Sequence, residues 1–430
     1  MTLSKPTTLA DWLAHIERQH PKSIDMGLDR VRAVATAMGL DRPAKRVITV
    51  GGTNGKGSTV AFIESIAREA GWKVGAYTSP HLLAYNERVR LNGADADDAS
   101  LVAGFEAVEA ARGDVPLTYF EYGTLCALWL FQRAKLDLAV LEVGLGGRLD
   151  ATNLVEPDVA VITTVDLDHQ DYLGDDREAI GAEKVGIARA WKPLVLGDDM
   201  PPSSVLGHAY AIGASAVRAR CDFFFEPVDA DTWRWREVGF RVTLPRPQLA
   251  APVQLRNAAI AIAAVRALPK PPPRQALVAG VANARLAGRL QRFERDGVEI
   301  VVDVGHNPQA AGELAEWLKS LRAQPDAAAG VTRVVYAALA DKDASGVVEA
   351  LAGQVDSWYL GGLDEHGPRG TSVTALAARL AGTAAASAAR FTDVAQALAA
   401  ARREAKAGDR ILVFGSFHTA ADALVALAAE

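Results

Sequence analysis

From Arg46 onward the chain alternates two apolar rhythms. Short β-branched runs at residues 47–50, 74–78, 138–143 and 159–165 read as buried strands, while apolar positions at helical spacing over 56–70 and 118–132 read as helices. That alternation makes βαβ units, which assemble into a parallel sheet covered on both faces. The order recurs at 298–304, 331–337, 357–360 and 410–414, with Ala-rich helical stretches between, and predicts a second, smaller α/β domain. The run Leu268-Pro269-Lys270-Pro271-Pro272-Pro273 cannot be helix or central strand, and taken alone it puts the boundary near residue 272. Residues 275–286 nevertheless read as one more helix before Gly288.

Composition narrows the class. A length of 430 residues suits two domains at roughly 100–200 residues each. With 50% hydrophobic and 23% charged residues the chain can bury a large core. Its 46 Lys plus Arg against 52 Asp plus Glu, net -6, exclude a protein built to coat a polyanion such as nucleic acid. Cys126 and Cys221 are far apart and lack the spacing of a zinc site or disulfide framework; Cys126 reads as a small buried thiol, and a reducing compartment fits. Residues 1–17 have no continuous apolar core and do not read as a signal peptide, and no run reaches the ~18 apolar residues of a spanning helix. A cytoplasmic protein with no membrane or nucleic-acid partner is expected.

Gly51-Gly52-Thr53-Asn54-Gly55-Lys56-Gly57-Ser58-Thr59 follows a strand and opens a helix. Glycines let the backbone turn its N–H groups around phosphate oxygens, the helix N-terminus adds a positive dipole end, and Lys56 reaches terminal phosphates. The loop reads as a nucleotide triphosphate site, although Gly57 separates Lys56 from Ser58 and departs from strict G-x-x-x-x-G-K-[ST]. The competing reading is an ordinary glycine turn. A second cluster, Gly144-Leu145-Gly146-Gly147-Arg148-Leu149, lacks the sixth-position glycine of a dinucleotide fingerprint and leads into Asp150-Ala151-Thr152-Asn153 rather than an apolar helix. A hydride-transfer enzyme of that type is excluded.

Magnesium bound with a nucleotide needs hard oxygen ligands near strand ends. Glu142 ends the run at 138–143, with pairing to Arg148 as its structural alternative. His169, in Asp166-Leu167-Asp168-His169, and Ser79, in Thr78-Ser79-Pro80-His81, follow strands where an open α/β sheet presents its site. Each also reads as an ordinary hydrogen-bonded loop residue. Lys184, on the helical stretch 177–189, reads by default as one more solvated lysine.

Taken in order, residues 50–59, Thr78-Ser79-Pro80-His81-Leu82, Glu87-Arg88, 142–153, Leu167-Asp168-His169, Leu173-Gly174, Glu183-Lys184, Asp303-Val304-Gly305-His306-Asn307-Pro308 and Gly415-Ser416-Phe417-His418-Thr419 resemble the folylpolyglutamate synthase family of the Mur ligase superfamily. The likeness spans nearly the whole chain and is greatest to the family's bifunctional bacterial branch. It implies an ATP-dependent, ADP-forming amide ligase that adds L-glutamate to dihydropteroate, to the glutamyl tail of reduced folates, or to both, through an acyl phosphate. By position it implies ATP contacts from Thr53, Asn54, Gly55, Lys56, Gly57, Ser58, Asn257, Arg289 and Asp303. Ser79, Glu142, His169 and Lys184 are implied to hold magnesium, two ions being expected, with a carbamate on Lys184. CO2 added to that amine turns a cation into a carboxylate-like ligand.

Ser23, Ile24, Asp25 and Met26, with Thr118, Tyr119, Phe120, Glu121, Asp150 and Ala151, resemble the family's pterin-binding surface. A flat heterocycle needs an aromatic face and a few fixed hydrogen-bonding groups. Part of the set Tyr119, Phe120 and Tyr122 instead reads as a stripe packing its helix on the sheet. The resemblance gives chemical roles to Lys56, Lys184, Asp303, His306 and Ser416, with His306 the candidate base for the incoming amine.

The resemblance also places the hinge near Arg289. The expected fold is α/β: a P-loop ATPase-type parallel-sheet domain over 1–288, then a smaller Rossmann-like α/β domain over 289–430. A monomer is the family's habit. Two other readings stay open, a different Mur-type amide ligase acting on cell-wall precursors and a P-loop nucleotide switch without ligase activity. The pterin-like positions speak against the first; the metal set with His306 and Ser416 speaks against the second.

Overall fold

The computed structural model describes residues 6–22, 24–323, 330–367 and 369–429. The chain forms two compact units, Met1–Gln248 with Leu255–Arg285, and Leu249–Gln254 with Leu286–Glu430. The first is therefore not one continuous stretch: Ala251 packs on the core of the second unit and takes its short segment there.

The main sheet of the first unit contains β1 (Val47–Gly51), β2 (Val74–Tyr77), β3 (Val89–Leu91), β4 (Ala94–Asp95), β5 (Leu138–Glu142), β6 (Val159–Ile162), β7 (Pro193–Leu196) and β8 (Ser215–Arg218). Their order is β4-β3-β2-β5-β1-β6-β7-β8, parallel except where β3 returns on β2 and β4 on β3. Every residue of β1, β2, β5 and β6 is buried, which is why unbroken apolar runs mark them. β6 stops at Ile162, short of the run to 165, because Thr163 and Thr164 turn to brace the loop after β1. Register sets Val50 beside Glu142, Gly51 beside Ile162 and Tyr77 beside Leu141. The carboxyl ends of these four strands open at one level, with later strands laid on both sides of β1, the switch-point crevice of an open α/β sheet.

The helix Arg274–Asn283, after the proline run, lies tightly on the helix Lys56–Glu69: a Cβ at Gly280 would stand 2.4 Å from Ile66 Cα. This packing keeps the prolines inside the first unit. An antiparallel sheet of β9 (Phe223–Pro227), β10 (Thr232–Glu237) and β11 (Phe240–Pro245) is an element the sequence reading missed. Its sign is the alternation Trp233-Arg234-Trp235-Arg236, which buries both tryptophans and lets Trp235 Nε1 donate to Ala259 O at 3.1 Å.

The second unit holds β12 (Gln291–Arg295), β13 (Val298–Val302), β14 (Thr332–Tyr336), β15 (Ser357–Leu360), β16 (Ala389–Arg390) and β17 (Arg410–Phe414). The order is β12-β13-β17-β14-β15-β16, with only β12 antiparallel to its neighbour. Its four central strands match the four late runs. Among the described residues no helix is long and apolar enough to cross a membrane. Cys126 is buried and burial pushes its thiol pKa up, whereas Cys221 is exposed.

Candidate active site

The loop after β1 is shaped by glycine and braced by the segment after β6. Gly52 and Gly55 hold φ of +141° and +85°. A Cβ on Gly52 would fall 1.9 Å from Thr163 Oγ1, and one on Gly55 2.5 Å from Asn257 Oδ1. Asn257, from the helix Gln254–Arg266, thus lies directly against the loop. Thr53 Oγ1 accepts from Asp166 N (3.0 Å) and donates to Asp166 O (3.1 Å). Asn54 N donates to Thr164 Oγ1 (3.0 Å), and Asn54 O accepts from Thr163 Oγ1 (2.6 Å). Thr163 and Thr164 read as part of the strand run at 159–165, and the sequence reading missed their bracing of the loop; two adjacent hydroxyls late in that run were the available signal. Lys56 Nζ folds back onto Gly52 O (3.0 Å) and Thr53 O (3.1 Å), and Ser58 is buried in the first helical turn, beside Gly57. A rigid turn of N–H groups with one ammonium suits phosphate. Gly55→Ala should destabilise the protein by about 1 kcal/mol or more, since alanine strains a positive φ and Asn257 has to move. The expected result is a lowered melting temperature that added ATP no longer raises.

At the neighbouring strand ends Ser79 N donates to Glu142 Oε2 at 3.2 Å, joining β2 to β5. Glu142 is buried, and Arg148 gives its guanidinium to Glu183 Oε1 at 3.2 and 2.9 Å. Lys184 is only 4% exposed, which corrects the solvated lysine its helical position suggested. The cause is packing: the helix Arg177–Val185 ends against the 144–148 turn, where a Cβ at Gly147 would come within 2.8 Å of Lys184 O. Burial, and then the nearby Lys56 ammonium, push its amine down to about 7 against the pull of Asp168 and Asp150. His169 sits at φ +53°, a left-handed conformation costly for a residue with a Cβ. Its N–H donates to Asp168 Oδ1 (2.9 Å), and Nε2 lies 3.9 Å from Asp168 Oδ2.

The structure thus joins Ser79 to Glu142, and sets Asp168 beside His169 and within electrostatic reach of Lys184. Among the described residues no three His, Cys, Asp or Glu side chains converge as a metal site. A set completed by a serine hydroxyl and an anion built on a buried, readily deprotonated amine still fits a hard cation in kind.

On the other side of the 144–148 turn, Thr118 and Glu121 form a capping box at the helix Tyr119–Ala134. Glu121 N donates to Thr118 Oγ1 (3.2 Å) and Thr118 N to Glu121 Oε2 (2.8 Å). Asp150 accepts from the N–H groups of Gly144 (3.0 Å), Leu145 (2.9 Å) and Thr152 (2.9 Å) and from the Thr152 hydroxyl (2.6 Å). Burial still raises its carboxyl pKa against these bonds. These polar groups therefore shape the surface through the backbone. Phe120 covers Gly144, where a Cβ would come 2.6 Å from its ring, and its centroid lies 5.8 Å from that of Tyr77. The aromatic stripe divides: Tyr122 is fully buried in the core, whereas Tyr119 is half-buried, edge-on to Tyr85 at 5.8 Å. Met26 reaches the same turn, its Cε 3.3 Å from where a Gly146 Cβ would stand, and Asp25 pairs with Arg30 at 2.6 Å. Ile24 is half-buried and Ala151 buried; Ser23 lies outside the described residues.

In the second unit Asp303 accepts from Leu290 N (2.9 Å) and Gly305 N (2.7 Å). Burial raises its carboxyl pKa, opposed chiefly by Arg289. Arg289 and His306 approach one ring, Phe417, at 5.4 and 6.5 Å. His306 Nδ1 lies 3.1 Å from Val304 O, a contact in which the ring nitrogen can only donate. Ser416 caps the helix Phe417–Ala428, accepting from Thr419 N (3.0 Å), while its hydroxyl donates to Thr419 Oγ1 (2.7 Å), which in turn donates to Ala337 O (2.7 Å). Asp303, His306 and Ser416 follow the carboxyl ends of β13 and β17.

Residues 50–206 match the Mur ligase middle domain, and residues 288–417 the Mur ligase glutamate ligase domain. The chain is 45% identical over 414 residues to a dihydrofolate synthase/folylpolyglutamate synthase of Escherichia coli (strain K12), covering 96% of this chain and 94% of that protein. Escherichia coli FolC in complex with DHPP and ADP is similar with a TM-score of 0.92 at 44% identity over 99% of both chains. A bifunctional folylpolyglutamate synthase/dihydrofolate synthase with Mn, AMPPNP and L-glutamate bound is similar with a TM-score of 0.89 at 42% identity over 98% of both chains.

Proposed function

We propose, because the chain belongs to the dihydrofolate synthase/folylpolyglutamate synthase family of Mur ligases, that it is an ATP-dependent ligase joining L-glutamate to dihydropteroate and to the glutamyl tail of reduced folates. The acceptor carboxylate attacks the γ-phosphorus of ATP, ADP leaves, and an acyl phosphate forms. The amine of glutamate then attacks the acyl carbon, and phosphate departs. Phosphoryl transfer asks mainly for positioning and charge neutralisation. The N–H groups of residues 52–58 hold the phosphates, and Lys56 exchanges the carbonyls of Gly52 and Thr53 for the terminal phosphate. Asn257, whose side chain meets the loop at Gly55, adds a nucleotide contact. Ser79, Glu142, His169 and a carbamate on Lys184 would hold magnesium, which would supply charge neutralisation at the phosphoryl oxygens. In the second unit His306 Nε2 takes the proton of the incoming amine, with Asp303 and Ser416 orienting its donor. Phe120, Met26 and the 144–146 turn receive the pterin face. Such a ligase works on small molecules as a cytoplasmic monomer.

The observation that carries this reading over a nucleotide switch is the buried Lys184 beside Lys56, its amine lowered to about 7. A switch has no use for a second, readily deprotonated lysine at its phosphate loop, whereas a ligase uses it to build an anion. Phosphate release tests the reading, with dihydropteroate, a reduced folate or a nucleotide-linked sugar acid, each with and without glutamate. Release with the first two, dependent on glutamate, is expected. ADP formation indifferent to acid and amine would instead mean a switch, and turnover of the sugar acid a different ligase. Glu142→Gln should raise the magnesium concentration needed for half-maximal rate by about tenfold or more. An unchanged magnesium titration would remove Glu142 from the ligand set.

A further inference from the structure

We infer that Arg30 is a positioning residue for the acceptor acid, clamping the 24–28 segment onto the start of the helix that carries Phe120. The inference rests on the proposed assignment of residues 24–26 and 118–121 to the acceptor surface. Arg30 is the second residue of the helix Asp29–Ala37, and its side chain is 25% exposed. One terminal nitrogen lies 2.6 Å from Asp25 Oδ2; the other donates to Asp25 O at 2.5 Å and lies 3.1 Å from Glu121 Oε1. Nε donates to Glu121 Oε2 at 3.5 Å. A single guanidinium therefore holds Asp25, in its own neighbourhood, to Glu121, which lies 91 residues from Arg30 in sequence.

The two carboxylates depend on it unequally. Asp25 also faces Lys22 at 3.3 Å and His20 at 3.5 Å. Glu121 is 4% exposed, and its Oε1 is sealed from solvent without a hydrogen bond, so the ionic contact with Arg30 is what offsets its charge there. Glu121 also closes the capping box on Thr118, one residue before Tyr119 and two before Phe120. Residues 24–27 form no helix or strand of their own. Arg30 supplies their fastening, and Met26 and Phe120 meet the glycine turn from the two sides it joins. A guanidinium offers a planar fork for both carboxylates; an ammonium reaches one well.

Steady-state KM values for dihydropteroate, ATP and glutamate, measured separately in wild type, Arg30→Ala and Arg30→Lys, test this. In Arg30→Ala the acceptor KM should rise about tenfold or more while the ATP and glutamate KM values stay within about twofold. Arg30→Lys should fall between wild type and Arg30→Ala. It keeps a charge and most of the packing, so it decides the matter if the alanine variant does not fold. An acceptor KM unchanged in both variants, or all three KM values rising together, overturns the role of Arg30 as a positioning residue. A wild-type enzyme that does not join glutamate to dihydropteroate or a reduced folate overturns the ligase reading instead.

Discussion

Lys184→Ala should lose about a thousandfold in kcat and regain part of it when acetate or formate is added. The physical case begins with burial. An amine that titrates at about 7 is substantially neutral at physiological pH, and only the neutral form attacks CO2. The nitrogen lone pair forms the N–C bond, a proton leaves, and an anion remains where a buried cation would have been costly. Protein stripped of CO2 should therefore be slow, and at a fixed concentration of dissolved CO2 its reactivation should be faster as pH rises through about 7. Alanine opens space for a free carboxylate beside Asp168 and Lys56. Wild-type activity in Lys184→Ala, with no response to added acid, would sink the carbamate.

The same group makes a stability prediction with a definite sign. The folded amine titrates at about 7 against 10.5 in an unperturbed chain, so the unfolded state binds the proton more tightly. In CO2-free protein the buried amine is fully destabilising below pH 7, and that cost fades as pH approaches 10.5. Lys184→Met should raise the melting temperature most in the lower part of this window and little near its upper end. A gain that does not vary with pH would mean that the amine is not depressed.

Lys56→Ala is expected to reduce ATP-dependent ligation by about a thousandfold or more, since charge neutralisation at the transferring phosphoryl group is the main task of such a loop. The substitution also takes the donor from Gly52 O and Thr53 O, so the loop loses an internal tie as well as its cation. It carries a second, independent signature. Lys56 follows burial as a cause of the low Lys184 pKa, so its removal should raise that pKa and move bicarbonate reactivation to higher pH. Full ligation by Lys56→Ala would refute the phosphate-loop assignment. An unmoved reactivation profile would show that the two lysines do not sense each other.

Particular residues show where reading the chain succeeds and where it stops. Gly52, Gly55 and Lys56 are recognisable because a phosphate turn needs contiguous residues in a set order, and the two glycines hold the positive φ values such a turn uses. Asn257 and Thr163 meet that loop from distant elements, and no spacing announces them. Thr118 and Glu121 carry a visible capping signature, but its engagement with Arg30 is invisible until the segments are folded together.

By itself the sequence determined the centres of the two larger sheets and the glycine-rich loops at their ends. Strands buried on two faces appear as uninterrupted apolar runs, and each loop is a local arrangement of neighbours. Tertiary structure decided the burial of Lys184, the clamp at Arg30, the antiparallel sheet built on Trp233 and Trp235, and the capture of residues 249–254 by the second unit. Burial and charge pairing depend on partners far away along the chain. Such partners leave no period in the local pattern, yet they set whether a lysine is a solvated cation or a reactive amine.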